Sequence, residues 1–286
     1  MIITMKMKNK ETLLGDEFFN KNKWDEEAPY YALMNELEAR GTDLEIACLP
    51  LKSEYTVLDL GCGPGRMTVP IAKKTKKVYA TDFSEKMIEI CRENCARSKA
   101  ENVDCFVADW QNPDDDALFP EVDVIVQARW SGGCSTLEKY QKKARKYVVI
   151  IEWMKNPPRM ARDLLFQNCF SEQSMELHPE LRPFDAESYS SKNLSKTTKE
   201  IRDQQLKEKL RDSGITVHKN VVEEGWLLYG DTKEEIVEPI IKLSRYPELV
   251  IRENFEKNLT NYMSQESGRW KFYMPTWSKV EWFKTR

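Results

Sequence analysis

Histidine is scarce in these 286 residues, with His178 and His218 the only two. The seven cysteines are scattered and form no C-x-x-C pair. Cys91 and Cys95 stand at i,i+4 on an expected helix and offer two ligands of the kind zinc takes. With so few histidines, the remaining ligands would have to be cysteines from elsewhere, so no metal is expected. Reduced thiols in a reducing compartment are the simpler reading. No apolar run approaches the ~18–20 residues that span a bilayer. The opening MIITMKMKNK falls short of the ~7–15 apolar residues of a secretory segment. A mean hydropathy of -0.64 agrees with this, and a cytoplasmic chain without membrane contact is expected. An excess of one charge is missing too: 44 Lys+Arg face 47 Asp+Glu, a net charge of -3. A general nucleic-acid binder carries a basic surplus, so a nucleic-acid partner is not expected.

What is present is enough for a core. Hydrophobic residues make up 41% of the chain, too many for a disordered protein. Trp24 to Arg40 carries apolar residues at helical spacing, and Gly41 is expected to stop that helix. Strand and helix signals then alternate. Apolar runs at 55–60, 77–81, 103–108, 122–127 and 147–152 read as strands. The charged segments 67–76, 85–99 and 135–145 read as helices. That alternation predicts a parallel sheet covered by helices on both faces. Beyond residue 153 the pattern loosens. Residues 171–195 read as irregular and 196–213 as a helix. Residues 215–229 read as a strand, 232–263 as a helix broken near Pro247, and the aromatic tail 270–284 as holding a last strand.

The most informative segment is Val57-Leu58-Asp59-Leu60-Gly61-Cys62-Gly63-Pro64-Gly65-Arg66. A buried strand ends beside an acid, three glycines alternate, and a helix follows. A ligand at the carboxyl end of a parallel strand needs close approach to the backbone, which glycine permits. The following helix turns free N–H groups toward an anion. The dinucleotide fingerprint is G-x-G-x-x-G, whereas here the third glycine comes one residue early. Asp82 closes the second strand twenty-one residues after Gly61, where a carboxylate can accept from two ribose hydroxyls. Phe83-Ser84-Glu85-Lys86-Met87 follows, with Ser84 as an expected N-cap. Val107-Ala108-Asp109-Trp110 closes the third strand.

In order and spacing, residues 55–152 resemble the class I S-adenosylmethionine-dependent methyltransferases. Their first motif has the form [DE]-x-G-x-G-x-G, and D-x-S-x-x-M follows their second strand. Trp24-Asp25-Glu26-Glu27-Ala28-Pro29-Tyr30-Tyr31 is similar to a W-D-x-x-A-x-x-Y stretch that caps the cofactor in small-molecule members. The resemblance implies an α/β Rossmann-like fold, a seven-stranded sheet of order 3-2-1-4-5-7-6 with strand 7 antiparallel. Its last two strands would come from 215–229 and 270–284, with helices inserted between them. It implies a helical cap at 1–53, a binding core at 54–153, and at 154–286 the rest of the sheet with a helical lid.

The implied cofactor is S-adenosyl-L-methionine, and the implied product S-adenosyl-L-homocysteine. The implied binding residues are Asp59, Gly61, Cys62, Gly63, Gly65, Asp82, Phe83, Met87, Asp109, Trp110, Ala128 and Tyr31. Trp110, Trp130 and Trp153 each follow a strand. Trp110 is expected at the adenine, with plugging of the core as the alternative. Arg129 could hold an acceptor carboxylate or pair with an acid. Glu152 and Tyr30 are the other catalytic candidates. Cys134 precedes a capping box at Ser135-x-x-Glu138. Asn156-Pro157-Pro158-Arg159 looks like a DNA adenine methyltransferase motif but follows the wrong strand, and reads as a turn. The expected activity is direct transfer of a methyl group to a small molecule. The alternatives are a protein or RNA acceptor, a non-catalytic binding subunit, or a nucleotide-dependent oxidoreductase.

Overall fold

The computed structural model describes residues 21–129, 137–154, 163–182 and 198–285. Two helices lead in: α1 (Lys21–Leu37) and α2 (Ala39–Ala47). The chain then alternates through β1 (Thr56–Leu60), α3 (Thr68–Ala72), β2 (Lys77–Asp82), α4 (Glu85–Arg97), β3 (Val103–Val107), β4 (Val122–Ala128), α5 (Leu137–Lys143) and β5 (Ala144–Trp153). After α6 (Glu172–Leu177) and α7 (Thr198–Asp212) come β6 (Val217–Glu223) and β7 (Trp226–Gly230). The final elements are α8 (Glu234–Ile241), α9 (Arg252–Thr260), β8 (Met263–Glu266), β9 (Arg269–Met274) and β10 (Trp277–Lys284).

The main sheet has the order β3-β2-β1-β4-β5-β10-β6. Strand β10 runs antiparallel to both neighbours, and β1 to β5 are parallel. This is the expected seven-stranded topology. The apolar sequence of β1 and β4 follows from burial on both faces. One face packs Ile46 of α2 and Ile71 of α3 against Val126, Val149 and Ile151. The opposite face packs Tyr140 of α5 and Leu206 and Leu210 of α7 against Leu58, Ile125 and Val148.

The C-terminal third departs from the expectation in an instructive way. Residues 215–229 are not one strand: β6 stops at Glu223 and β7 starts at Trp226. Likewise β9 stops at Met274 and β10 starts at Trp277. The two breaks face each other. Glu223 pairs with Trp277 on one side, Trp226 with Met274 on the other. At the break Glu224 N donates to Thr276 O at 2.9 Å and Gly225 N to Thr276 Oγ1 at 3.2 Å. One antiparallel ribbon thus bends at a single point and enters two sheets. Gly225 has φ +65, and a Cβ there would lie 2.4 Å from the Tyr273 ring. The smaller sheet, β7-β9-β8, packs with α8, α9 and α1 around Trp226, Ile240, Phe255, Phe272 and Leu37. The helix expected over 232–263 is two helices, with Met263 already in β8.

Gly41 does not end a helix. The break falls at Glu38, and α2 runs through Gly41. The reason is packing: a Cβ on Gly41 would stand 2.4 Å from Glu224 Cβ and 3.0 Å from its Cα. Glycine admits the ribbon bend against the helix. Residues 1–20 of the expected helical cap lie outside the described residues.

In an ordinary helix interior Gly→Ala gains ~1 kcal/mol. Gly41→Ala is expected to lose instead, by about 1–3 kcal/mol, because overpacking against backbone outweighs propensity. A urea midpoint that falls relative to the parent protein checks this; a rise would show that the ribbon can move away.

Candidate functional site

The site forms where β1, β2 and β3 end on one edge of the sheet. Beyond β1, Gly61 N and Cys62 N both donate to Thr81 O at 2.9 Å, which ties the loop to β2. Gly61, Gly63 and Gly65 have φ of +68, +52 and +90, a region that favours glycine. Asp82 closes β2 and fastens the same loop: Oδ2 accepts from Gly63 N and Oδ1 from Ser84 N, each at 3.0 Å. A carboxylate has about four acceptor positions, so two such bonds leave capacity for a ligand. Burial pushes Asp82 up to about 6, against the backbone donors of Ser84 and Gly63. Asp109 follows β3 half-buried. Its Oδ1 accepts from Gln111 N, while its own N donates to Asp115 Oδ2, each at 2.8 Å. Met87 is buried beneath the loop, while Phe83 and Ala128 are half-buried.

Asp59 is in β1 but faces inward, buried, and accepts from the Thr68 hydroxyl at 2.6 Å. Burial pushes it up to about 6, with Thr68 opposing. It braces the start of α3.

The leading helix α1 lies over this edge. Asp25 accepts from Ser84 Oγ and from Lys86 N at the start of α4, and Lys21 pairs with Glu85 at 2.8 Å. Ser84 in turn caps α4 at Met87 N, as expected. Tyr31 sits against Trp24 with ring centroids 5.6 Å apart, and burial holds its hydroxyl well above the usual range. Tyr30 lies under Arg245, 5.0 Å from the ring centre, and faces a groove of about 1100 Å³ between α1, α2, α3 and α4.

Three of the candidate residues are held by packing or ion pairs. Trp110 is 2% exposed and belongs to the core under α5. Its ring stacks 5.9 Å from Tyr140, meets Phe119 edge-on at 4.9 Å, and carries Lys139 Nζ at 4.3 Å. It plugs the sheet rather than presenting an open face to adenine. Glu152 faces the layer under α7, beside Leu206 and Leu210, with Lys279 Nζ at 3.6 Å.

Arg129 is the third. It follows β4 with φ +56 and is buried among carboxylates. Nη1 donates to Glu38 at 2.5 Å, and Nη2 to Glu45 at 3.2 Å and to Glu224. Trp153 stacks 4.7 Å from the guanidinium. Arg66, from the glycine loop, donates to Glu45 at 2.5 Å and to Thr42 at 3.0 Å, with Glu38 at 3.7 Å. While these pairs stand, Arg129 cannot hold a substrate carboxylate. Trp130, Ser131, Cys134, Ser135 and the Asn156 to Arg159 turn lie outside the described residues.

This cluster of two arginines and three glutamates was missed by the sequence reading. One signal existed: Glu38 and Glu45 are seven apart, a spacing that puts two acids on one side of a continuous helix, although the helix breaks at Glu38. Nothing local marks Glu224. Burial acts to raise Glu45, but Arg66 and Arg129 outweigh it and hold it below the usual range. Glu224 faces the opposite balance. Burial, with Glu45 and Glu38 nearby, pushes it up to about 7 despite Arg129.

Because Glu224 is raised above its unfolded value, its contribution to stability is present at low pH and lost as pH rises through about 7. Glu224→Gln is therefore expected to gain on the parent protein as pH rises from about 4.5 to about 7, and to hold that gain above 7, read by unfolding at both ends of that window. A constant difference would count against the cluster charge balance. Arg129→Met leaves Glu224 without its ion-pair partner and Glu38 and Glu45 with Arg66 alone, and is expected to cost about 3–5 kcal/mol.

Comparison with known proteins places the same region. Residues 57–148 match the family model described as "Methyltransferase domain". Over 127 residues the chain is 28% identical to a 23S rRNA (uracil(1939)-C(5))-methyltransferase of Aliivibrio salmonicida, covering 43% of this chain and 28% of that protein. Over 59 residues it is 42% identical to a probable cobalt-precorrin-6B C(15)-methyltransferase (decarboxylating) of Methanocaldococcus jannaschii, covering 21% and 32%. Among solved structures it is similar to a precorrin 8W decarboxylase of Methanobacterium thermoautotrophicum. That match has 15% identity and a TM-score of 0.43, over 86% of this chain and 89% of that one. The chain spans less than half the length of the curated relatives it matches.

Proposed function

We propose that this chain, whose residues 57–148 match a methyltransferase-domain model, is an S-adenosylmethionine-dependent methyltransferase acting on a small-molecule acceptor. One observation carries the cofactor reading: the three positive-φ glycines, with Asp82 bonded to Gly63 N, form a cradle at the sheet edge. The residues fit the group. A Cβ on Gly63 would meet only Met87 Sδ, at 3.9 Å, so its outward side is open for close approach. Asp82 would take the ribose hydroxyls on its remaining lone pairs, and Asp109 would face the adenine end. When bound, S-adenosylmethionine supplies a sulfonium-activated methyl group for direct displacement by an acceptor N, O, S or C.

The residues of the chain then hold, orient and exclude water, which suffices where the acceptor needs no deprotonation. Glu152, paired with Lys279, and Arg129, paired with three glutamates, are not assigned a proton role.

Two features support a small acceptor. The helix α1 is pinned over the cofactor edge by Asp25 at Ser84 and Lys86. The net charge of -3 supplies no general attraction for a phosphate backbone. The relatives include RNA methyltransferases, so the test carries an RNA arm.

Calorimetry with S-adenosylhomocysteine is expected to show binding that weakens as pH falls through about 6, where Asp82 takes a proton. Asp82→Ala is expected to weaken it about 10–100-fold, since a hydrogen bond to a charged group is worth ~1.5–3 kcal/mol. Binding of NAD without S-adenosylhomocysteine would sink the cofactor reading. Label from methyl-labelled S-adenosylmethionine is expected in the small-molecule fraction of a cell extract. Label confined to RNA or protein would overturn the acceptor class and leave the cofactor reading standing.

A further inference from the structure

Beneath the glycine cradle lies a cluster of thiols with no part in the reading above. Cys91 and Cys95 share one face of α4, and Cys105 stands on β3, against which α4 packs. Their three Sγ atoms lie within 4.8 Å of one another, and Cys91 and Cys105 are 3.7 Å apart. Cys62, the second residue of the cradle, is buried in the same group. All four are free thiols.

The spacing has chemical content. Tetrahedral zinc holds thiolate sulfur at ~2.3 Å, which sets neighbouring sulfurs ~3.8 Å apart. The Cys91–Cys105 separation matches that edge. A disulfide would need the sulfurs at ~2.0 Å, well inside the separation observed. Thiols are weak hydrogen-bond partners, so packing alone has little to gain from bringing three together. Access exists as well: β3 is the edge strand of the main sheet, and Cys105 is half-buried.

We propose that Cys91, Cys95 and Cys105 bind one zinc ion as thiolates, with Cys62 or a water as the fourth ligand. Each coordinating thiol releases one proton to solvent, and no sulfur changes oxidation state. The ion clamps α4 to β3. It also braces the cradle, because Gly65 sits directly on Cys91: a Cβ on that glycine would lie 2.9 Å from Cys91 Sγ. The site is independent of the methyltransferase reading, since its ligands bind metal whether or not the cradle takes a cofactor.

The test uses the full chain, reduced with a phosphine and stripped with a chelator. It is then titrated with Zn²⁺ against a competing indicator and with Cd²⁺ as a spectroscopic stand-in. One ion per chain and an ultraviolet sulfur-to-cadmium charge-transfer band are expected. Cys105→Ser is expected to weaken zinc roughly tenfold or more, as loss of even an outer partner of a metal ligand costs ~10–100-fold. Cys48→Ser, at the end of α2 and outside the thiol group, is expected to leave binding unchanged. Alkylation mapped by mass spectrometry on the unmodified protein gives an answer that no folding defect can obscure: zinc should protect Cys91, Cys95 and Cys105. A missing cadmium band, a band unchanged in Cys105→Ser, or alkylation indifferent to zinc would each overturn the proposal.

Discussion

The buried ion cluster of Glu38, Glu45, Arg66, Arg129 and Glu224 is the constraint on which the arrangement of this protein depends. Its five members come from four parts of the fold. Glu38, at the break between α1 and α2, and Glu45, in α2, belong to the lead-in, Arg66 to the glycine loop, Arg129 to the end of β4, and Glu224 to the ribbon bend. Buried ion pairs add little net stability compared with apolar packing, but losing one partner is costly. The cluster is therefore better understood as a registration device. It holds the lead-in helices, the cradle and the second sheet at one position relative to the main sheet.

That device accounts for several local oddities together. Gly41 sits inside a helix because Glu224 must approach α2 closely. Arg129 takes a left-handed backbone conformation directly after β4, and its side chain reaches Glu38 and Glu45. The ribbon bends at Glu224-Gly225, which carries the third carboxylate inward and starts the smaller sheet. Three acids against two arginines leave one negative charge in surplus, and Glu224 is the group that burial and its neighbours push toward neutrality.

The cradle has a similar economy. Asp82 secures Gly63 and Ser84 through backbone donors while retaining lone pairs, and burial raises it. A raised carboxylate is a cost to the fold at neutral pH, because stability is lost as pH rises through about 6. The fold tolerates two such groups at this edge: Asp59, which braces the start of α3, and Asp82, which fastens the glycine loop.

How much of this was legible in advance follows the range of the interactions. The first five strands and the glycine cradle were readable from the residues, and the order of the sheet from the family resemblance. Burial on both faces writes short apolar runs into the chain, and positive-φ turns write glycines into it. Residues that act through partners distant in sequence were not. Trp110 after β3 looks the same in sequence whether it meets a ligand or meets Phe119 and Tyr140. Arg129 looks the same whether it awaits a substrate or meets Glu224, 95 residues away. The sequence by itself determined where a close approach to backbone is possible. Only the tertiary structure decided which charges face each other, because Coulomb and packing terms depend on distance in space and not along the chain.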